Sequence, residues 1–270
     1  MREYSNDLLD RLNLMRELQS QARQITLPLY KSPIEAENKA ESGYDPVTQA
    51  DKDAEAALRK IIQSQFPDDG IVGEEFDDIQ GSSDFEWTLD PIDGTRAFIA
   101  GVPVWSTLIA VSYLGRPLLG LIDLPALNIA YWGEPDHAWR EDEDGKRDIS
   151  TKSCANLNSA VLGCTEPMAI FDAGEIAAYN IIRSATRFAR LGLDAFGYGL
   201  VAEGRMDIII ESSLKPCDVR ALIPVIEGAG GKVTSWHGGS AANGGQVVAV
   251  GDPDLLPELY TYLGRAMKPV

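Results

Sequence analysis

Long apolar runs are missing from this 270-residue chain. No stretch approaches the roughly 20 uninterrupted apolar residues that a membrane span needs, so no membrane partner is expected. The start, Met1-Arg2-Glu3-Tyr4-Ser5-Asn6-Asp7, has no apolar core behind a basic head and does not read as a secretory signal; the expected address is cytoplasmic. Cysteine is scarce. Cys154, Cys164 and Cys217 are odd in number and form no CxxC pair, which excludes a disulfide framework and a thiolate zinc site and predicts buried free thiols. Histidine is scarcer still. His137 and His237 both sit in polar or glycine-rich surroundings that read as surface loops, leaving no HExxH helix and no Ser–His–Asp triad. Positive charge is also short: 24 Lys and Arg stand against 41 Asp and Glu, a net charge of −17. Nucleic acid is therefore not an expected partner, because it is bound chiefly through Lys and Arg on its phosphates. If the chain is an enzyme, carboxylates and metals must carry the chemistry.

What is present is an ordinary core-forming composition, with 44% hydrophobic and 24% charged residues. Leu8, Leu12, Met15, Leu18 and Ala22 recur at helical spacing and predict an amphipathic helix over 7–24. Residues 31–47 read as a mobile loop or hairpin, and a second helix is expected over 49–65, ending before Pro67. Strands are expected at 71–73, 86–89, 106–113 and 117–123, with shorter ones at 131–132 and 138–139. The acidic turn 141–146 is the best internal boundary, dividing an N-terminal α+β half (1–140) from a C-terminal α/β half (141–270) in one closely packed unit. Beyond it, strands at 160–164, 188–190, 206–210, 232–235 and 246–250 alternate with helices over 173–184, 194–203 and 219–229, the last closed by Gly230-Gly231. A short C-terminal helix follows. The pattern is mixed α and β with layered sheets.

Four separated acidic motifs stand at loops or element ends: Asp45-Pro46-Val47-Thr48-Gln49-Ala50-Asp51, Gly73-Glu74-Glu75, Asp90-Pro91-Ile92-Asp93-Gly94-Thr95, and Cys217-Asp218. Each has a plain structural reading. Thr48 and Asp51 have the spacing of a helix capping box, Glu74-Glu75 suits a solvated turn, and Thr95 and Asp218 suit helix N-caps. The third motif asks for more. It ends a strand, where α/β sheets bind ligands. Two carboxylates three residues apart on a tight turn, with the Ile92 carbonyl between them, form an oxygen set that suits a hard cation such as Mg²⁺. The Gly94-Thr95 amides then open a helix and offer an anion site for phosphate.

GEE, then DPIDGT, then an Asp opening a helix that ends in EGAGG resembles the signature of the inositol monophosphatase superfamily, in order and spacing, over essentially the whole chain. The resemblance implies a layered α-β-α-β-α sandwich and a phosphomonoesterase using two or three Mg²⁺ ions, for which Mn²⁺ can substitute. It also implies a homodimer and lithium sensitivity. By the same resemblance, Glu74, Asp90, the Ile92 carbonyl and Asp93 bind the first metal; Asp90, Asp93 and Asp218 share a second. Asp51 helps hold a third. Gly94 and Thr95 hold phosphate, with Arg96 beside them, and Thr95 with Glu74 orients the attacking water. The implied mechanism needs no phosphoenzyme: two cations polarise the phosphoryl oxygens and acidify a bound water. Gly197-Tyr198-Gly199-Leu200-Val201-Ala202 matches a dinucleotide fingerprint, but no adequate strand precedes it, and it is expected to be a closely packed helix.

The substrate is expected to be a small phosphorylated metabolite. The Leu214-Lys215-Pro216-Cys217-Asp218 stretch and Arg96 after DGT resemble the histidinol-phosphatase branch. Cys217 stands where family members usually carry an aromatic residue. Histidinol phosphate carries an ammonium and an imidazole, and Asp194 and Glu211 are placed in the motifs to meet them, Glu211 by family analogy. Asp194 also suits a helix N-cap, and Glu211 equally accepts an inositol hydroxyl. The expected reaction is hydrolysis of L-histidinol phosphate; inositol 1-phosphate is the alternative ester. A non-catalytic or RNA-associated role is the reading of another class, opposed by the intact acidic set and the net charge.

Overall fold

Strands with apolar residues at nearly every position, rather than at alternate ones, need cover on both faces. Ser106–Tyr113 is the clearest case: Leu108 and Ala110 enter one core, Ile109 and Val111 another. The computed structural model, which describes residues 5–31, 36–38, 46–266 and 268, builds its layers from such strands.

In chain order the elements begin with α1 (Ser5–Tyr30), β1 (Ala36–Asn38), β2 (Pro46–Thr48), α2 (Gln49–Gln65), β3 (Gly70–Gly73), β4 (Phe85–Asp93), α3 (Thr95–Ala100), β5 (Ser106–Tyr113) and β6 (Arg116–Leu124). They continue with β7 (Ile129–Glu134), β8 (His137–Asp142), β9 (Gly145–Asp148), β10 (Val161–Cys164), α4 (Pro167–Ile170), α5 (Ala173–Ala185), β11 (Phe188–Leu191) and α6 (Asp194–Ala202). The rest are β12 (Ile208–Leu214), α7 (Pro216–Val219), α8 (Leu222–Gly228), β13 (Lys232–Ser235), β14 (Gly245–Val250) and α9 (Leu256–Leu263). Strands β3 to β9 form a seven-stranded sheet in sequence order, parallel only at β3–β4; β11-β10-β12-β14-β13 form a five-stranded sheet.

Helices α1 and α2 cover the outer face of the larger sheet, packing Leu14, Met15, Leu18, Leu58 and Ile62 against Trp87, Leu89 and Trp132. Helices α6 and α8 lie between the sheets, where Tyr198, Val201, Leu222 and Val225 meet Leu108 and Ile122 on one side and Ile209 and Val247 on the other. Helices α5 and α9 cover the far face of the smaller sheet through Ile182 and Leu259. The order is α-β-α-β-α, as the resemblance implies. No helix among the described residues is long and apolar enough to cross a membrane.

The fold differs from the sequence reading in several places. Helix α1 runs on to Tyr30, through Pro28. The helix expected over 219–229 is two pieces, α7 and α8. Pro224 has no N–H to give the Arg220 carbonyl, and its ring crowds that group, which favours a break in the helix here. His137 does not lie in a loop; it opens β8, with Nδ1 2.9 Å from Glu134 and Nε2 3.0 Å from Asp148. The loop or hairpin read over 31–47 lies largely outside the described residues; within it β1 and β2 pair antiparallel. The Gly197–Ala202 motif falls inside α6, and Gly199 is there because the Tyr131 ring takes the space of a side chain. All three cysteines are buried and free.

Candidate active site

The DPID segment is strand and not a tight turn: β4 continues through Asp93. Asp90 faces Leu108 of β5 and Asp93 faces Ser106, so three steps on β4 match two on its partner. In a regular strand, residues three apart point to opposite faces. The extra residue makes a bulge, and both carboxyls come to line one cavity of 270 Å³. Ser106 Oγ donates to Asp93 Oδ2 at 2.9 Å, as does the Ala195 amide at the start of α6, at 3.3 Å. The Ile92 amide turns back to Asp90 Oδ1 at 3.2 Å.

Gly94, with φ +76, caps α3, so Thr95 is the first helical residue and not the cap. The Thr95 hydroxyl donates to the Ile92 carbonyl at 3.2 Å, and both residues line the cavity.

Glu74 enters the same cavity from the loop after β3. That loop is clamped. Glu55 of α2, wholly buried, accepts the Glu74 and Glu75 amides on Oε2 at 3.0 and 2.8 Å, and Arg59 Nε at 2.7 Å on Oε1. Arg59 in turn holds the Phe76 and Asp77 carbonyls, both at 3.0 Å. The solvated-turn reading of Glu74-Glu75 therefore fails.

Asp218, third in α7, accepts the Lys215 amide at 2.7 Å, and Lys215 Nζ reaches Glu74 Oε1 at 3.0 Å. Cys217 Sγ lies 3.4 Å from Asp218 Oδ1, and its sulfur and carboxylate oxygens of Glu74 and Asp90 all fall within 4.8 Å of one another. Asp51 takes the Thr48 amide and hydroxyl on Oδ2 at 2.8 and 2.6 Å, the capping box that its spacing allows. It is buried and does not line the cavity, although Asp90 feels its charge.

Electrostatics mark this cluster. Burial raises the Asp90 and Asp93 carboxyls well above the usual carboxylate range; the charge of Glu74 adds most for Asp90, that of Asp194 for Asp93. Asp218 is pushed to about 6, first by burial and then by Glu74 despite the Lys215 amide, and burial also raises Asp51. Each of these groups opposes ionisation of its neighbours, and cations beside them would relieve that repulsion. The cationic side chains lining the cavity, among the described residues, are Lys215 and Arg96, and Arg96 is half-exposed with Glu166 at 3.4 Å. Clustered, buried carboxylate oxygens fit a hard divalent ion such as Mg²⁺ or Mn²⁺.

Asp194 and Glu211 line the same cavity. Asp194 is not the expected N-cap: it is the first residue of α6, with a left-handed φ of +46. A non-glycine residue there is uncommon, and such backbone conformations cluster at functional sites. A side chain at Gly94 would come 3.2 Å from Asp194 Cγ, so the glycine also clears space for this carboxyl. Burial pushes Asp194 to about 6, Arg96 opposing, and Glu211 to about 8, although Glu211 accepts the Thr165 amide and hydroxyl at 2.7 and 2.9 Å.

All the sequence-predicted site residues except Asp51 therefore meet around one cavity. The chain matches the model of the inositol monophosphatase family over residues 7–267. It belongs to that family. Relatives of this inositol monophosphatase family member include the bifunctional phosphatase IMPL2 of Arabidopsis thaliana, 43% identical over 221 residues; the match covers 78% of this chain but 63% of that protein, less than two thirds of its length. A histidinol-phosphatase of Mycobacterium tuberculosis is 36% identical over 209 residues, covering 76% of this chain and 79% of its own. An inositol monophosphatase structure from Zymomonas mobilis superposes with a TM-score of 0.82 at 35% identity, covering 98% of this chain and 100% of that one.

Sequence reasoning about this family member left Glu55 and Thr165 unmarked and took Lys215 only as part of the 214–218 stretch. Glu55 follows Asp51 by four residues on a predicted helix, and Lys215 precedes Asp218 by three. Those spacings were available as signals. Nothing local to Thr165 points to Glu211.

Proposed function

We propose that this chain is a Mg²⁺-dependent phosphomonoesterase whose substrate is L-histidinol phosphate. The observation that carries the reaction type is the convergence of Glu74, Asp90, Asp93 and Asp218, drawn from separate elements, on one cavity beside Gly94 and Thr95. In this reading Glu74, Asp90, the Ile92 carbonyl and Asp93 hold one cation, Asp90, Asp93 and Asp218 a second, and Asp51 helps with a third. The bound cations supply Lewis-acid polarisation of the phosphoryl group and a more acidic water. The protein's own part is positional. Glu55 fixes the Glu74 backbone, and the Thr95 hydroxyl, donating to Ile92, keeps lone pairs free to accept from a water that Glu74 also orients. Gly94, Thr95 and Arg96 receive phosphate.

Asp194, half-buried beside Gly94, and the buried Glu211 line the same cavity, and two such carboxyls favour an alcohol bearing cationic groups. Glu211, held near 8 by burial, is largely protonated when alone at neutral pH. An ammonium beside it restores the ionised form and gains a desolvated ion pair. The histidinol-phosphatase name of the Mycobacterium relative supports the same choice. Inositol 1-phosphate is the second reading, because the Thr165–Glu211 pair also suits a hydroxyl.

Phosphate release from L-histidinol phosphate and from myo-inositol 1-phosphate, with Mg²⁺, tests this. We expect kcat/KM to favour histidinol phosphate by about tenfold or more, the scale of one well-placed polar contact. Equal or reversed preference would refute the substrate, and release from neither would refute the phosphatase reading.

A further inference from the structure

Lys215 meets the acidic cluster through two different groups. Its amide donates to Asp218 Oδ2 at 2.7 Å, and its ammonium donates to Glu74 Oε1 at 3.0 Å. The two carboxyls come from separate parts of the chain, and the proposed function makes both of them cation ligands. The Lys215 side chain lines the cavity and is 51% exposed, whereas that of Glu74 is 14% exposed. A flexible stem with a solvated head is the member of this pair that can leave.

An ammonium and a divalent cation draw on the same lone pairs of a carboxylate. An ammonium at hydrogen-bond distance from one oxygen of Glu74 also repels a divalent charge on the other, the more so where burial lowers the dielectric. Metal and ammonium therefore compete for Glu74. The contact to Asp218 belongs to the main chain, so the side chain can depart without disturbing the start of α7. We infer that the Lys215 ammonium stands in for the first cation when the site is metal-free, and that cation binding displaces it from Glu74. Lys215 is then a positioning residue. It keeps Glu74 paired in the empty site and sets a threshold for metal entry. Arg96 differs: it lines the same cavity but reaches Glu166 at 3.4 Å, which is outside the proposed ligand set. This inference rests on the reading of Glu74 as a cation ligand given above.

The test is calorimetric titration of Mg²⁺ into chelator-stripped wild type, Lys215→Met and Arg96→Met. Lys215→Met keeps the main-chain contact and removes the charge. Its Mg²⁺ dissociation constant should fall about two- to fivefold, the scale of one half-exposed ion pair. Arg96→Met removes one positive charge from the same cavity and should lower the constant by less. An unchanged or raised constant for Lys215→Met overturns the proposal. Equal falls in the two variants also overturn it, in favour of a general effect of net charge. A crystal structure of the magnesium-loaded wild type should place Nζ beyond about 4 Å from Glu74, the limit of an ion pair. Nζ still seated on Oε1 in that structure overturns the exchange as well. Failure of the wild type to bind Mg²⁺ at all refutes the cation reading of Glu74 itself, an outcome separate from binding without exchange.

Discussion

Glu211 carries its meaning in its burial. A carboxyl with 3% exposure that still lines a cavity is costly to ionise and is held near 8. Glu211→Gln keeps an acceptor for the Thr165 amide and removes the charge. The account predicts a fall in kcat/KM for histidinol phosphate of about 10- to 100-fold, the range for losing a charged hydrogen bond, with a smaller fall for inositol 1-phosphate. Steady-state kinetics on both esters checks this; equal losses would mean that Glu211 does not read charge. Single residues were unevenly legible. Glu211 was found by its distance from Asp218 in a known motif. Thr165 was not, because nothing in its local sequence points to the carboxyl that its amide and hydroxyl hold. Cys217 looked like a mere departure from an aromatic position, and its sulfur turns out to lie among the carboxylate oxygens.

At the scale of elements, the sheets and most helices could be read from periodicity because burial imposes it. One irregular place could not. The β4 bulge at Asp90–Asp93 depends on pairing with β5, which no local signal reports. The gap between α7 and α8 did have a signal in Pro224. The loop after β3 is fixed from a distance, by the buried Glu55–Arg59 pair of α2. Glu55→Gln leaves Arg59 without its buried counter-charge, and breaking such a pair costs about 3–5 kcal/mol. We expect chemical denaturation to show that loss, and a Mg²⁺ titration of the folded variant to show weaker binding because Glu74 is less well held. Wild-type stability with wild-type Mg²⁺ affinity would show that α2 does not position the loop.

For the whole molecule, the net charge of −17 and the buried acidic cluster act in the same direction. Asp194 and Asp218 near 6 and Glu211 near 8 are all raised by folding. Between about pH 4 and 8 the native state therefore binds more protons than the unfolded chain, and stability falls as pH rises. Self-repulsion of a strongly acidic chain deepens the fall. A ligand that binds only the native state restores stability by mass action, so divalent cations should raise the melting temperature, and more at pH 8 than at pH 5.5. The motifs had pointed to metal through oxygen donors alone. The structure adds that the same carboxyls are clustered and partly or wholly buried, which predicts that they destabilise the chain when bare. A magnesium titration of chelator-stripped protein at pH 8, followed by melting temperature and by phosphate release from L-histidinol phosphate in the same samples, tests this most directly. The account predicts that both rise over one range of magnesium concentration. Full hydrolysis in the presence of chelator, or a melting temperature indifferent to magnesium, would contradict it.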